Sequence, residues 1–206
     1  MKYNFGPATE GERIVFGSER PGFDFHSVGA QEVSRWIAFM KRNGIVRVCC
    51  LLPRQQLDYY EGDLLAEYRK EFGPRNVCAA GIPDCHLCEV ETLTGQILPF
   101  LRESDQQAAP VVVHCSGGSG RAGHILSAWL VHARGLSIDD ALAAVRFPRR
   151  NPFEAVLIGN ASMVDLRALL TACQVGSAAY HRADADPAGW AFGDACPACR
   201  RGVESG

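Results

Sequence analysis

A cysteine and an arginine with five residues between them bracket a run of glycine and serine in this 206-residue chain. The stretch reads His114-Cys115-Ser116-Gly117-Gly118-Ser119-Gly120-Arg121-Ala122-Gly123. It follows the apolar run Val111-Val112-Val113 and leads into an apolar helical pattern from Ile125 to Ala133. The cysteine therefore stands where a buried strand ends, on a tight turn against a helix N-terminus. Amides of such a turn point inward and bind an anion, and the helix dipole adds positive potential. The same field favours a thiolate, the nucleophilic form of cysteine. The planar fork of an arginine matches two phosphate oxygens. Together these residues describe a phosphate cradle with a nucleophile at its base.

The His-Cys-five residues-Arg pattern resembles the signature loop of the cysteine-dependent protein tyrosine and dual-specificity phosphatases. The resemblance extends over about residues 10 to 170. It implies that Cys115 attacks phosphorus and becomes a phosphocysteine, and that Arg121 clamps the transferring group. It also implies a cradle built from the amides of Ser116, Gly117, Gly118, Ser119, Gly120 and Arg121. An oxygen leaving group needs a proton, and in that family an acid about thirty residues earlier supplies it. Gly81-Ile82-Pro83-Asp84 fits, with Asp84 31 positions before Cys115. Glu89 and Glu91 fall at the start of the next helix, where acidic residues are expected for dipole reasons alone.

Other uses of the same glycines are weaker. Gly118-Ser119-Gly120-Arg121-Ala122-Gly123 is also a G-x-G-x-x-G, but no second strand with an acidic end follows it. No Lys-Ser or Lys-Thr follows, as a nucleoside-triphosphate loop requires. A rhodanese-type sulfur carrier has no need of Asp84. A buried structural cysteine explains neither Arg121 nor the glycines.

One departure concerns Ala122, where the family commonly has serine or threonine, whose hydroxyl stabilises the departing thiolate. Ser116 and Ser119 are the candidates to compensate. This departure motivates the alternative of a catalytically weak phosphate-binding module. His114 is expected to be a buried structural partner of the cysteine, and His124 carries no role from the resemblance. Asn151, in the stretch Arg146–Pro152, is the nearest match to a water-positioning amide of the family and equally a helix cap before a first-turn proline. Arg149 and Arg150 read as a solvated face.

The elements that must position these groups follow from periodicity. Strands are expected at Arg13–Phe16, Ile45–Leu52, Asn76–Ala80 and Pro110–His114. Helices are expected over Ala30–Asn43 and Tyr59–Phe72, along the face Val90, Leu93, Ile97 and Leu101, at Gly123–Arg134, and from Ser137 through Val145. The alternation predicts an α/β fold with a mostly parallel central sheet of four or five strands and helices on both faces, tyrosine-phosphatase-like. Cys115 and Asp84 both follow strand ends and so share one rim, where ligands bind in such sheets.

Length allows one full domain, expected at residues 1–175, with a tail over 176–206. The net charge of −2 gives no bulk attraction to nucleic acid or acidic membranes. No run approaches membrane-spanning length, and the first residues lack the apolar segment of a signal peptide. Nine cysteines is an odd count that does not suggest a disulfide framework. The expected partner is a phosphorylated protein, in the cytoplasm, with no cofactor and no metal in the site. Two Cys-x-x-Cys pairs, Cys85/Cys88 and Cys196/Cys199, are each half a zinc site. They are taken as reduced thiols, with Cys173 and His181 as the other ligands a zinc could recruit.

Overall fold

The computed structural model describes residues 2–146 and 150–174. Five strands form one sheet: β1 (Gly6–Pro7), β2 (Val15–Glu19), β3 (Arg47–Cys50), β4 (Val77–Ala79) and β5 (Val111–Cys115). Their order is β1-β2-β5-β3-β4, antiparallel at β1 and parallel elsewhere. The α/β architecture expected from the alternation is thus present, with the short antiparallel β1 as an addition. Two residues give too little pattern for β1 to be read from sequence.

The pleat divides the core into two clusters. Val111, Val113 and Cys115 of β5 and Cys49 of β3 face Leu93, Ile97, Leu101, Leu126, Trp129 and Leu170. Val112, Val48 and Cys50 face Trp36, Met40, Tyr68 and Phe72. The first cluster takes its helices from α5 (Leu98–Gln106), which the short α4 (Val90–Thr92) precedes, α6 (Gly120–Arg134), α7 (Ile138–Ala144) and α9 (Met163–Gln174). The second takes α1 (Ala30–Arg42) and α3 (Leu64–Phe72). Complete burial of both faces explains why β5 reads as an unbroken apolar run.

Several boundaries differ from the periodic reading. The strand expected at Arg13–Phe16 begins at Val15 and continues to Glu19, because it pairs with β5 along its whole length, up to Glu19 opposite Cys115. The helix expected at Tyr59–Phe72 begins only at Leu64, as α3, with Asp63 capping it by accepting from the Ala66 amide at 2.9 Å, and a separate short α2 (Arg54–Leu57) precedes it. Between α4 and α5 a π-helical turn covers Leu93–Ile97. The extra residue in that turn rotates Val90 out of the expected face, and it is exposed where Leu93, Ile97 and Leu101 are buried. A short α8 (Glu154–Ile158) precedes α9. The tail from 175 onward, with Cys196, Cys199 and His181, lies outside the described residues, as does Arg149.

Candidate active site

Strand β5 delivers Cys115 to the sheet rim, where the residue is 2% exposed. The chain then turns through Ser116–Ser119 into α6. The helix begins at Gly120, three residues earlier than its apolar pattern indicates, so Arg121 sits in the first helical turn. Glycine is required twice here. Gly118 has φ +68°, and a Cβ on it would stand 2.4 Å from the Ser18 carbonyl carbon on β2. A Cβ on Gly120 would stand 1.8 Å from Glu154 Oε2. Outside contacts fix the turn as well: the Arg20 amide donates to Ser116 O at 2.9 Å, and Asn4 Nδ2 donates to Gly117 O at 3.1 Å.

Arg121 is 2% exposed and splits its donors. Nη1 donates to Gln56 Oε1 at 2.9 Å and to Ile82 O at 3.1 Å. Nη2 lies 2.6 Å from Asp84 Oδ1. Nε is buried with no hydrogen-bond partner among the described residues. The guanidinium is therefore locked by one nitrogen, and its Nε–Nη2 edge is left to meet an anion. Asp84, 31 residues away in sequence, is half exposed and lies over that edge.

Two buried histidines brace the surroundings. His114 Nδ1 donates to Cys115 O at 3.4 Å, which leaves Nε2 to accept from Tyr68 Oη at 3.3 Å. Burial holds its pKa down to about 3. His124 Nδ1 donates to Gly120 O at 3.2 Å, and Nε2 accepts from the Cys88 amide at 3.1 Å. Burial lowers its pKa to about 4, and both bonds require the neutral ring.

Residues 77–172, a little under half of the chain, match the family described as "Swiss Army Knife protein, DSP-PTPase phosphatase domain". Within that span the chain is similar to a phosphatase domain of the DSP-PTPase type. A 49-residue stretch is 41% identical to the dual specificity protein phosphatase Mpk3 of Drosophila melanogaster, covering 24% of this chain and 12% of that protein. Among solved structures, Tk-PTP in its active form is 25% identical, with 85% of this chain and 99% of that chain covered at a TM-score of 0.61. Kinase associated phosphatase, with its catalytic-site cysteine replaced by serine, is 17% identical, with 80% and 88% covered at 0.61. PTPMT1 is 12% identical, with 85% and 99% covered at 0.57. These last two show the fold alone.

The site holds groups that sequence reading missed. Gln56, which orients Arg121, is a buried glutamine of α2, the short helix after β3. Glu154 presses its carboxyl on Gly120; burial first, and then the charge of Asp84, raises its pKa, with Arg121 opposing. Arg150 is no solvated face. It is 3% exposed and donates to Pro7 O, Gly6 O and Gly17 O, tying β1 to β2. Burial depresses its pKa to about 10.

Asn151 behaves as a turn residue: its Oδ1 accepts from the Phe153 amide at 3.2 Å, and its own amide donates to Ser119 Oγ at 3.2 Å. Ser116 Oγ accepts from Arg20 Nε at 3.3 Å. Cys88 and Cys173 are buried thiols pushed up to about 12 by burial. No group of three or more metal-type ligands occurs among the described residues. No helix there is long and apolar enough to cross a membrane.

Proposed function

We propose that this domain hydrolyses phosphomonoesters on proteins, phosphotyrosine foremost, through a phosphocysteine intermediate. The observation that carries the reading is the unpaired Nε of Arg121 beside Asp84, at the mouth of the loop that begins with Cys115. The Nε–Nη2 edge takes two non-bridging oxygens of the substrate phosphate, while amides of Ser116 through Arg121 hold the group from below. A phosphate dianion competes with Asp84 for Arg121, and displacement frees the carboxyl to face the leaving oxygen. The Cys115 sulfur attacks phosphorus. The P–O bond breaks, and the leaving oxygen takes a proton from Asp84. A water then attacks the phosphocysteine, giving one proton back to Asp84. Inorganic phosphate leaves and the thiolate is restored. The unit doing this chemistry is the segment to about residue 175.

Leaving-group dependence tests the reading. Cys115→Ser abolishes turnover while vanadate still binds, because the cradle is backbone. Asp84→Asn slows tyrosyl and alkyl esters by about 10²–10⁴-fold and esters with acidic leaving groups far less. Equal losses on every ester remove Asp84 as the acid.

Ala122 favours a second reading. It is fully buried and offers no hydroxyl beside the nucleophile. Slow phosphocysteine breakdown then gives a burst of leaving group about equal to the enzyme concentration in rapid-quench kinetics. Ala122→Ser raises the steady rate and leaves the burst rate unchanged. A linear time course in the natural chain removes this reading.

A further inference from the structure

Away from Cys115 the sheet carries a pair of thiols that the catalytic scheme does not use. Cys49 on β3 and Cys78 on the outer strand β4 stand directly opposite each other in the parallel register. Neighbouring strands run about 4.8 Å apart, and a disulfide joins residues whose Cα atoms are about 4.4–6.8 Å apart. Both side chains enter the same core cluster, and both thiols are free. The two sulfurs meet there, with the Cys49 thiol donating to Cys78.

A buried cation accompanies the pair. Arg47 lies two residues before Cys49, on the same face of β3. It is 2% exposed, and its guanidinium carbon stacks 4.1 Å from the Phe100 ring centroid. Its Nη2 meets Glu103, a largely hydrated carboxylate, while Nε and Nη1 are buried with no hydrogen-bond partner among the described residues. Spare positive charge beside a thiol favours the thiolate. The bond from Cys49 holds the Cys78 thiol below its ordinary range; burial opposes this, and Gln96 and the charge of Arg47 add to it. The same bond, with burial, pushes the Cys49 thiol well up. Cys50 faces the opposite cluster, and burial pushes both Cys50 and Cys88 up to about 12. Cys78 is also within reach of solvent. Its strand is the edge of the sheet and only three residues long. The exposed Gln96, from the π-helical turn, lies over that edge and donates to Ala79 O at 3.1 Å.

We propose that Cys78 and Cys49 are a second reactive site, a dithiol that hydrogen peroxide oxidises to a disulfide between β3 and β4. The Cys78 thiolate attacks one peroxide oxygen. The O–O bond breaks, and the departing hydroxide takes a proton to become water, leaving Cys78 as a sulfenic acid. The Cys49 sulfur then attacks the Cys78 sulfur, the S–O bond breaks, and the leaving hydroxide takes the Cys49 proton. Two thiols and one peroxide thus give one disulfide and two waters. The bond ties together the roots of two arms that hold Arg121. Strand β3 runs on to Gln56, and β4 runs on to Ile82 and Asp84. The site needs no phosphate chemistry and stands whether or not the domain turns over a phosphoester.

The test uses the full chain carrying Cys115→Ser, so that the nucleophile consumes no oxidant. The protein is treated with hydrogen peroxide, its remaining thiols are alkylated, and the tryptic peptides are mapped by mass spectrometry. The peptide Val48–Arg54 should appear linked to Asn76–Arg102. The link should persist in Cys50→Ala, Cys85→Ala and Cys88→Ala and vanish in Cys49→Ala and Cys78→Ala. In Cys49→Ala, Cys78 should stop at the sulfenic acid, which dimedone traps. The oxidised chain should melt roughly 5 °C higher than the reduced one, and a thiol reductant should reverse the rise. No linked pair, or a link that depends on Cys50, Cys85 or Cys88, overturns the proposal. A fall in the thermal transition on oxidation also overturns it, because the sulfurs would then meet only by distorting the sheet.

Discussion

Two arginines on α6, the buried Arg121 at its start and the partly buried Arg134 at its end, are treated in opposite ways. Arg134 is saturated. Its Nε and Nη2 meet Glu12 at 2.9 and 3.2 Å, while Nη1 and Nη2 meet Asp105 at 2.9 and 2.7 Å. Glu12 also accepts from the amides of Arg13, Ile14 and Val15 and from Trp129 Nε1. Burial works against the charges of both partners, but their mutual bonds outweigh it, raising the Arg134 pKa and lowering that of Glu12. Arg121 is fixed through Nη1, meets the exposed Asp84 through Nη2 and keeps a buried donor, Nε, unpaired. The saturated end serves the fold. The unsaturated end, on the proposed reading, stores a binding capacity at a cost in stability.

The sharpest way to break the contrast is to exchange the consequences. Arg121→Lys should lower kcat/KM by about 10³-fold, since a point charge cannot replace the fork. The thermal transition should hold within a few degrees. A large loss of stability with retained activity would reverse the assignment. Glu12→Ala should do the opposite. It strands the Arg13–Val15 amides, the Trp129 indole and half of Arg134, and should cost about 3 kcal/mol in urea unfolding with kcat/KM within twofold.

Acid sharpens the comparison next. His114 and His124 are neutral when folded, with pKa near 3 and 4, below the ordinary 6.5. The unfolded chain takes up their protons first. Their contribution is complete above about pH 6.5 and is lost as pH falls from there toward 4 and then 3. Unfolding free energy should fall by about 1 kcal/mol per pH unit for each ring between pH 6 and 4. His124→Asn should flatten that slope in urea titrations at several pH values. An unchanged slope would show that His124 is charged in the fold. The smallest effect expected is that of Gln56→Ala, about tenfold in kcat. Its signature is unchanged activity loss at every leaving group, because it orients Arg121 and carries no proton.

The two ends were also unequally legible in the sequence. The loop from Cys115 to Arg121 is a contiguous pattern whose spacing is set by a single anion, so residue types alone located it. Asp84 was found by its turn and its distance from the cysteine, and the fold sets it against Arg121. Gln56 and Glu154 left no such trace. Each is an ordinary polar residue at a position with no periodic meaning, and its neighbour is supplied only when α2 or α8 docks. Arg150 misled for the complementary reason. Arginine near a helix is usually solvated, and only the closure of β1 on β2 buries it. Glu12 was invisible because the side chains it pairs with, Trp129 and Arg134, lie 117 and 122 residues onward in the chain. The helix break before α3 was written in Gly62-Asp63, a turn and cap that a pattern of apolar spacing overrode.

The segment bearing Asp84 is anchored at both ends. The Ile82 amide donates to Leu51 O at 3.1 Å, its carbonyl accepts from Arg121, and the Cys88 amide is held by His124. Between these anchors Pro83 has a fixed φ, and Cys85 holds a left-handed φ of 57° without being glycine. Such a span has few soft torsions and some strain in hand. Its carboxyl can swing but cannot wander, so in the proposed scheme it travels a short arc between guanidinium and ester oxygen. The stroke length of this machine is therefore set by five residues and two amides, and lengthening the span by one residue would detune its timing before it touched its chemistry.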